Sequence, residues 1–464
     1  MKIKINLVLF LVVSSVLCLN AQQSETKKIS LKEAIAFAKA NSPVLKNAIL
    51  DHQAAQKKAN EILASGLPQI NGQVQFVNNI EIATSALPDF ISPAVYNNLI
   101  KYNLISSSTP RPSSAIFPVQ FGVKNSLNAS ISANQLIFDG TFFLGLKAAQ
   151  EFVNLSKLSR NQTAIELEIN VSKSYYLVLL TEASLAMLDK NIETLEKTSH
   201  DINEMKIAGF VEKIDADRIA LSLSNATIQR EKLKDQYAIV QQLLKLQMGA
   251  DFKDNFELTD KLDVIGNDVN DIALDINSSN YNKRIEFQIL EQQKMLNNYD
   301  MKRYQVGYMP SLSAFGSVQR NTFGQEFNDV GKQWYSGAMV GVNLSVPIFD
   351  GLRKSNQIQQ TKIIQQKIEN GQKLLQTSIE IDRYTAKTKF ARSKELVALQ
   401  KKNMQLADEI YKRANLKYKE GVGSGLELSS AESELKTAQT NYLSSVYELL
   451  VSEIDLKKSL GEIK

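Results

Sequence analysis

Residues 136–140 read LIFDG, and residues 347–351 read PIFDG. Each segment ends a region with the alternation of a β-strand and begins a long stretch with the pattern of a helix. The region before the first segment opens with GLPQINGQVQF at 66–76, and the region before the second opens with YMPSLSAFGSV at 308–318. The chain therefore contains one structural unit twice, and this duplication decides the architecture.

The long helical stretches also end alike. Glycine-containing breaks follow them, KIAGFVEKID at 206–215 and KYKEGVGSGLE at 417–427. Gly209 and Gly421 lie 212 residues apart, whereas Gly140 and Gly351 lie 211 apart, so the second copy gains one residue within its long helix. The strand regions differ more, because residues 80–118 contain several prolines and serines that predict a long loop inserted into the first copy.

The repeat divides the chain into predicted segments. We expect a signal peptide at 1–21, a first repeat at 22–249, a connecting segment at 250–277 and a second repeat at 278–464. Within the repeats the predicted strands are about 66–78, 121–138, 308–322 and 334–349, and the predicted helical hairpins are 141–248 and 352–460. A further helix is predicted to start near Ser30 in the first copy and near Ser278 in the second.

The N-terminal residues have the pattern of a secretory signal. Lys2 and Lys4 precede an apolar run from Leu7 to Leu19, which is too short to span a bilayer, and cleavage is predicted after Ala21. Lipidation of Cys18, the only cysteine, is the less favoured alternative because Leu17 precedes it. Without the two lysines, 52 basic residues remain against 49 acidic ones, a balance that predicts no nucleic-acid partner.

Two of the predicted strands have one apolar and one polar face. Apolar residues alternate with serines and asparagines at 123–137, and the same holds at 334–348. Two hairpins on a soluble core are one interpretation. The other places the apolar face in lipid and the polar face around a lumen, which requires an oligomer because four strands cannot close a barrel.

The predicted helices exceed the size of a globular core. A run of about 65 residues forms a rod of about 100 Å. The shorter partner helices show coiled-coil spacing along Ala216, Ile219, Leu223, Ala226, Arg230, Leu233, Tyr237, Val240 and Leu244, and along Leu428, Ala431, Leu435, Ala438, Tyr442, Ser445, Leu449, Ser452 and Leu456. Asp139 and Asp350 can cap the long helices.

The signal peptide, the duplicated order of elements and the tips GFVEKIDA at 209–216 and GVGSGLEL at 421–428 resemble the TolC-like outer membrane efflux family. The resemblance covers essentially the whole mature chain. It implies an α+β fold in which three chains form one 12-stranded outer membrane β-barrel, with four strands per chain, continued by a long periplasmic α-helical coiled-coil barrel. It also implies a passive exit duct of a tripartite efflux or type I secretion system, located in the outer membrane of a Gram-negative bacterium and extending into the periplasm.

The same resemblance implies partners and gate residues. The expected partners are two further copies of the chain, a periplasmic adaptor protein, an inner-membrane RND or ABC-type pump and outer membrane lipid. Asp215, Tyr418 and Glu427 occupy the family's periplasmic gate positions, with a hydrogen bond expected between Tyr418 and Asp215. Three copies of Glu427 would form a carboxylate ring that favours cations. The alternative is that the two acids only flank their helices.

Other positions have a structural interpretation beside the functional one. The tip residues Gly209, Phe210, Val211, Gly421, Val422 and Gly423 are expected to dock the adaptor, or only to form the turns together with Gly425. The strand–helix junctions are predicted at Pro68, Asp139, Gly140, Pro310, Pro347, Asp350 and Gly351. No nucleophile, metal or cofactor constellation is evident, so the chain is not expected to be an enzyme. A structural or adhesive periplasmic coiled-coil protein is the competing function.

Overall fold

The computed structural model describes residues 27–89, 91–111, 116–262 and 280–463. The predicted signal peptide with Cys18, most of the connecting segment and the helix start predicted at Ser278 lie outside these residues. In chain order the elements are β1 (Lys27–Ile29), α1 (Leu31–Asn41), α2 (Pro43–Ala64), β2 (Gln69–Asn78), β3 (Thr84–Pro88), α3 (Ile91–Lys101), β4 (Ile116–Gln120), β5 (Asn125–Phe138), α4 (Gly140–Ile207), α5 (Lys213–Met248), β6 (Phe256–Leu258), α6 (Ile285–Val306), β7 (Ser311–Gly324), β8 (Trp334–Ser345), α7 (Arg353–Lys419) and α8 (Gly425–Leu460).

The contacts divide the chain into two units. A strand unit comprises Lys58–Ala149 and Asn298–Lys362, and a helical unit comprises the described parts of Met1–Lys57, Gln150–Asn297 and Ile363–Lys464. None of the helices in the described ranges is both long and apolar enough to cross a membrane.

The strand unit is built on an antiparallel sheet with the order β2-β5-β7-β8. Its register pairs Gly72 with Ile131, Ile131 with Val318, and Gly316 with Val340, so these residues share one face. The exposed apolar side chains of that face include Ile70, Val74, Phe76, Ile131, Val318, Val340, Val342 and Leu344. Because cross-strand neighbours lie on the same side of a sheet, the register joins the apolar residues of all four strands into one surface.

The opposite face of the sheet is mostly polar, although Phe315 and Met339 also lie on it. Asn71, Gln73, Ser130, Ser132, Asn134, Ser317, Gln319, Asn321 and Asn343 lie on it. The Asn128 amide donates a hydrogen bond to Asn321 across two strands of this face. The strands β2 and β8 form the edges of the sheet and have no partner on their outer sides within the described chain.

The predicted strand ends need small corrections. β2 starts at Gln69, because the amide N–H groups of Gly66 and Leu67 bond to carbonyls at the end of α2. β5 starts at Asn125, and β7 runs from Ser311 to Gly324. β8 ends at Ser345 rather than at 349. Pro347 follows this end and has no amide hydrogen with which to extend the hydrogen-bond ladder.

The predicted loop at 80–118 is wrong in a larger way. β3 and β4 pair antiparallel, and α3 lies between them in sequence. Pro93 lies in the first turn of α3, where its missing amide hydrogen costs nothing, and Pro118 lies in an edge strand of a two-stranded sheet. These prolines therefore lie at the start of a helix and in an edge strand. The prediction of a loop failed because it rested on the number of prolines and not on their positions.

The helical unit packs around a core formed by both repeats. Its buried members include Ala34, Ala38, Val171, Tyr175, Val240, Leu244, Met248, Tyr442, Val446 and Leu450. β1 and β6 pair in parallel beside this core. The seam positions Ile219, Ala226, Val240 and Leu244 of α5 are buried, as are most of the corresponding positions of α8.

Tyr175 connects this core to the strand pair. Its side chain is fully buried, and its hydroxyl donates to Asp260 Oδ2 at 2.8 Å and lies 3.1 Å from the carbonyl oxygen of Ile29. The same carboxylate oxygen accepts the amide hydrogen of Leu31, which starts α1. Burial and the charge of Asp260 both raise the pKa of Tyr175, so the hydroxyl stays a donor over the physiological pH range.

This contact gives a first prediction. Replacing Tyr175 with phenylalanine removes a donor from Asp260 and should lower the free energy of unfolding by about 1–3 kcal/mol. Thermal and urea unfolding of the helical part, followed by circular dichroism, measures the change. Tyr176→Phe is the matched control, because Tyr176 is also buried and its side chain makes no hydrogen bond within the described residues. Equal effects of the two substitutions would contradict the role of the Tyr175 hydroxyl.

Candidate functional site

The two helical hairpins, α4–α5 and α7–α8, reverse direction at glycines. Gly209 has φ 81° and Gly421 has φ 75°, a conformation that favours residues without a Cβ atom. The amide of Phe210 donates to the carbonyl of Met205 at 2.9 Å, and the amide of Val422 donates to that of Lys417 at 3.1 Å. In both turns, a backbone amide after the glycine therefore donates a hydrogen bond to a carbonyl group in the last turn of the long helix.

The residues after these glycines differ in exposure. Phe210 is 81% exposed and Val422 is 79% exposed. Val211 instead packs against buried residues of the hairpins. Of the residues predicted to dock a partner, Phe210 and Val422 thus present apolar side chains to the outside, and Val211 contributes to the packing underneath.

A buried group, which we call the tip cluster, joins all four helices below the turns. It consists of Ile202, Ile219, Ala407, Tyr411, Ala414, Tyr418, Leu428, Ala431 and Leu435. Because the cluster draws on both hairpins, separating them at this end would expose its members to water. Packing therefore favours the arrangement in which the hairpins touch.

Glu427 lies in the first turn of α8. Ser424 caps this helix, since its side chain accepts the amide hydrogen of Glu427 at 3.2 Å. The Glu427 carboxylate accepts a hydrogen bond from Lys417 Nζ at 3.0 Å across the turn, with both side chains about half exposed. Glu427 is thus near the helix N-terminus, as the structural interpretation expects, and still accessible to solvent.

Asp215 occupies the equivalent place in α5. Glu212 stands at the N-cap there without a side-chain hydrogen bond to the helix, and Arg218 Nη1 lies 4.0 Å from Asp215 Oδ1. The Asp215 carboxylate packs directly against Gly425, where an added Cβ would collide with it. Gly425 therefore allows the starts of α5 and α8 to approach each other. Its predicted role in reversing the chain is wrong, because it is the first residue of α8 and its φ is not positive.

Tyr418 lies at the end of α7 and is only 4% exposed. Its hydroxyl is buried and has no hydrogen-bond partner among the described residues, so the expected bond to Asp215 is absent from this structure. Burial raises the pKa of Tyr418, and the negative charge of Asp215 adds to this effect. The two residues are thus close enough to interact electrostatically, but the Asp215 carboxylate is turned to Gly425 instead.

Polar contacts between the hairpins were missed by the sequence analysis. Lys419 Nζ lies 2.9 Å from Asp201 Oδ2, joining the end of α7 to α4. Further along, Asn191 Nδ2 donates to Gln439 Oε1 at 2.7 Å, joining α4 to α8. These residues belong to no motif, and a charge pattern on single helices could not reveal partners that lie more than two hundred residues apart.

A groove between the hairpins lies beside these contacts and has a volume of about 850 Å³. Its lining includes Lys190, Lys412, Tyr411, Asn415 and Glu432. Asn415 Oδ1 and Glu432 Oε2 are buried acceptors without a hydrogen-bond partner, and burial raises the pKa of Glu432. The groove thus combines an apolar floor with acceptors that could bind donors.

The predicted junction residues lie where strands and helices meet. Pro68 and Pro310 directly precede β2 and β7, and Pro347 follows β8. Asp139 accepts the amide hydrogen of Thr141 at 2.7 Å and so caps α4, and Asp350 accepts that of Lys354 at 3.2 Å.

Glycine is required at the two junction positions for different reasons. Gly140 is in such close contact with Val306 that an added Cβ would collide, whereas Gly351 has φ 65°.

No group of three or more histidine, cysteine or acidic side chains that could hold a metal ion is found in the part of the chain that the structure describes.

Known proteins share this fold. The family model described as outer membrane efflux protein matches residues 268–462. A probable efflux pump outer membrane protein of Pseudomonas putida, TtgC, is 20% identical over 342 residues, which cover 72% of this chain and 69% of that protein. The crystal structure of CusC superimposes with a TM-score of 0.71 at 17% identity, covering 93% of this chain and 91% of CusC. The CmeC outer membrane channel of Campylobacter jejuni gives a TM-score of 0.70 at 15% identity, covering 93% and 85% of the two chains.

The contact between Lys419 and Asp201 gives a prediction about the tips. The substitution Lys419→Asp should place two negative charges together and separate the hairpins. An exposed pair contributes about 0.2–1 kcal/mol, so the separated population should rise a few-fold. Spin labels on cysteines at Phe210 and Val422 measure the distance between the tips by electron paramagnetic resonance.

The charge swap Lys419→Asp with Asp201→Lys should restore the original distance distribution. Arg413→Asp is the control, because Arg413 pairs with Glu409 on its own helix and makes no ion pair between the hairpins. If the swap behaves like the single substitution, the ion pair does not hold the tips together.

Proposed function

We propose that the chain is a TolC-like outer membrane efflux protein and that three copies of it form a passive exit channel. Each copy contributes four strands to a twelve-stranded barrel in the outer membrane and two helical hairpins to a periplasmic tunnel. The channel carries substrate delivered by an inner-membrane pump and performs no chemistry on it.

The observation that supports this proposal most is the exposed apolar face of the four-stranded sheet. Val340 is 90% exposed in the single chain, and Val74 is 74% exposed. Exposing such an apolar surface to water costs free energy, whereas contact with lipid tails does not. The polar opposite face, with its asparagines, serines and glutamines, suits a water-filled lumen.

The open edges of the sheet explain why more than one copy is needed. β2 and β8 have unpaired backbone N–H and C=O groups on their outer sides. In hydrocarbon, each backbone group without a hydrogen bond costs roughly several kcal/mol, so a sheet that spans a membrane must be closed. Pairing β2 of one copy with β8 of the next satisfies both edges and closes a ring.

The length of the helices supports the periplasmic part of the proposal. α4 contains 68 residues and α7 contains 67. Helices of this length extend about 100 Å, far more than a core of this size requires. We propose that they carry the lumen from the outer membrane towards the pump.

The tips are the proposed docking site for a periplasmic adaptor protein. Phe210 and Val422 are exposed apolar side chains beside the turn glycines Gly209 and Gly421. Two apolar side chains on tight turns offer a small hydrophobic contact to a helical partner. An RND or ABC-type pump in the inner membrane would join through this adaptor.

Asp215, Tyr418 and Glu427 are the proposed gate residues. The tip cluster and the contact between Asp215 and Gly425 favour hairpins that touch, whereas the buried Tyr418 hydroxyl has no hydrogen-bond partner among the described residues in this arrangement. Adaptor binding would shift this equilibrium if the adaptor binds the separated arrangement more tightly.

Substitutions on the two faces of β8 test the channel directly. Val342→Arg places a charge on the apolar face and should cost about 2–4 kcal/mol in the bilayer, which prevents assembly. Asn343→Arg is the matched control on the polar face, and it should assemble and alter ion selectivity. Heat-modifiable migration on gels reports assembly, and planar bilayer recordings report conductance. Normal assembly of Val342→Arg, or an assembled protein that does not conduct, would refute the proposal.

Glu427 should bind multivalent cations at the tunnel mouth if three copies form a ring. Replacing Glu427 with alanine should weaken the block of conductance by trivalent cations about ten-fold, roughly the effect of 1.4 kcal/mol, and leave trimers intact. Glu395→Ala removes an exposed acid paired with Arg392 elsewhere on α7 and serves as the control. An unchanged block in the Glu427→Ala protein excludes the ring.

A further inference from the structure

The segment that joins β2 to β5, residues 79–124, occurs in the first copy of the repeat alone; we call it the arm. In the second copy, residues 325–333 make the corresponding connection between β7 and β8. The arm is fixed to the sheet at its base. The Asn79 amide donates to the carbonyl oxygen of Lys124 at 2.7 Å, and Asn79 Nδ2 donates to that of Val123 at 2.8 Å.

α3 is the helix of the arm, and local contacts specify it. Asp89 accepts the amide hydrogens of Ile91 at 3.0 Å and Ser92 at 2.8 Å, which caps the helix. A hydrogen bond from the Ser92 side chain, together with these backbone hydrogen bonds, lowers the pKa of Asp89. The Tyr96 hydroxyl donates to the carbonyl oxygen of Thr109 and so ties one side of α3 to the chain that follows it.

The other side of α3 is exposed in the part of the chain that the structure describes. Ile91 is 62% exposed and Val95 is 49% exposed, and their spacing of four residues places them on one face of the helix. Tyr102, which directly follows the helix, is 67% exposed. No described side chain of α3 is buried. The helix therefore presents an apolar face of the kind that packs against another surface.

The charge of the arm is low. It contains Glu81 and Asp89 against Lys101, Arg111 and Lys124, a net charge of +1. Copies of the arm therefore repel one another little, and a single surplus positive charge gives weak attraction to an anionic lipid surface. The charge balance favours a second copy of the arm as the partner of the apolar face.

The position of the arm in the proposed trimer agrees with this partner. The arm starts at the end of β2, an edge strand that would pair with the neighbouring copy, at the ends of the strands away from the long helices. Twelve strands about 4.8 Å apart and tilted by about 40° enclose a barrel of about 12 Å radius. A strand such as β3, with five residues, extends about 17 Å, so the arms can reach the barrel axis.

We infer that the apolar face of α3 packs against the α3 helices of the two other copies, so that three arms form a cap over the outer mouth of the channel. This inference rests on the proposed trimer. The cap narrows the end of the channel away from the pump, and it explains why only one copy of the repeat has the insertion: three arms around one axis complete a symmetric contact.

Cysteine crosslinking in assembled trimers tests the contact. Val95→Cys lies on the apolar face, and Asn97→Cys is the matched control on another exposed side of the same helix. Under mild oxidation, Val95→Cys should give covalent dimers at least five-fold more often than Asn97→Cys. The unsubstituted chain provides the baseline, because its only cysteine, Cys18, precedes the predicted cleavage site.

Equal yields from the two variants, or no dimers from either, would overturn the cap. Protection of Val95→Cys from a water-soluble maleimide in lipid vesicles without crosslinking would likewise overturn it and assign the helix face to the membrane. Trimers that conduct ions but do not crosslink refute the cap alone. Chains that form no trimers refute the proposed channel.

A second measurement does not depend on disulfide geometry. Val95→Lys places three positive charges together at the axis and should open the cap, so that single-channel conductance rises about two-fold or more, while Asn97→Lys leaves it nearly unchanged. Equal conductance of the two lysine variants would contradict a contact between the α3 helices.

Discussion

The closure of backbone hydrogen bonds in the four-stranded sheet is the constraint on which the rest of the structure depends. The sheet has two open edges, β2 and β8, and an apolar face that the chain itself leaves exposed. Neither feature is stable in a single copy, whether in water or in lipid. In the proposed channel, pairing between copies satisfies the edges, and lipid covers the apolar face. The sheet alone therefore gives a physical reason for the proposed oligomer, before the helices are considered.

The helical unit has a constraint of its own at the tips of the hairpins. Each chain contributes two hairpins that meet at the tip cluster, and Gly425 lets the carboxylate of Asp215 come into contact with the start of α8. Tight packing at the tips favours a closed arrangement, while the unpartnered hydroxyl of Tyr418 and the acceptors in the groove leave polar groups unsatisfied. Such groups make this packed arrangement less stable than it would otherwise be, and under the proposed gating they lower the free energy that the adaptor must supply to open the tips.

The two copies of the repeat differ in the connection between their strands and at the start of the shorter helix of each hairpin. The first copy has the arm and a helix start with no side-chain cap at Glu212. The second copy has a short connection between its strands, a serine-capped helix start and the ion pair between Lys417 and Glu427. The shared parts, namely the strand pair, the capped long helix and the turn glycine, meet the same physical requirement in both copies.

The sequence alone determined the duplication, the strand pairs, the rod-length helices and the turn glycines, because each depends on a local period or on the conformation of one residue. It also identified the apolar faces of β5 and β8, where the alternation is regular. The tertiary structure decided which face β2 and β7 contribute, since their alternation is irregular and cross-strand register assigns the faces. It replaced the predicted loop with the arm and paired Lys419 with Asp201. These features depend on contacts between residues far apart in the chain, and no periodicity within one segment encodes such partners.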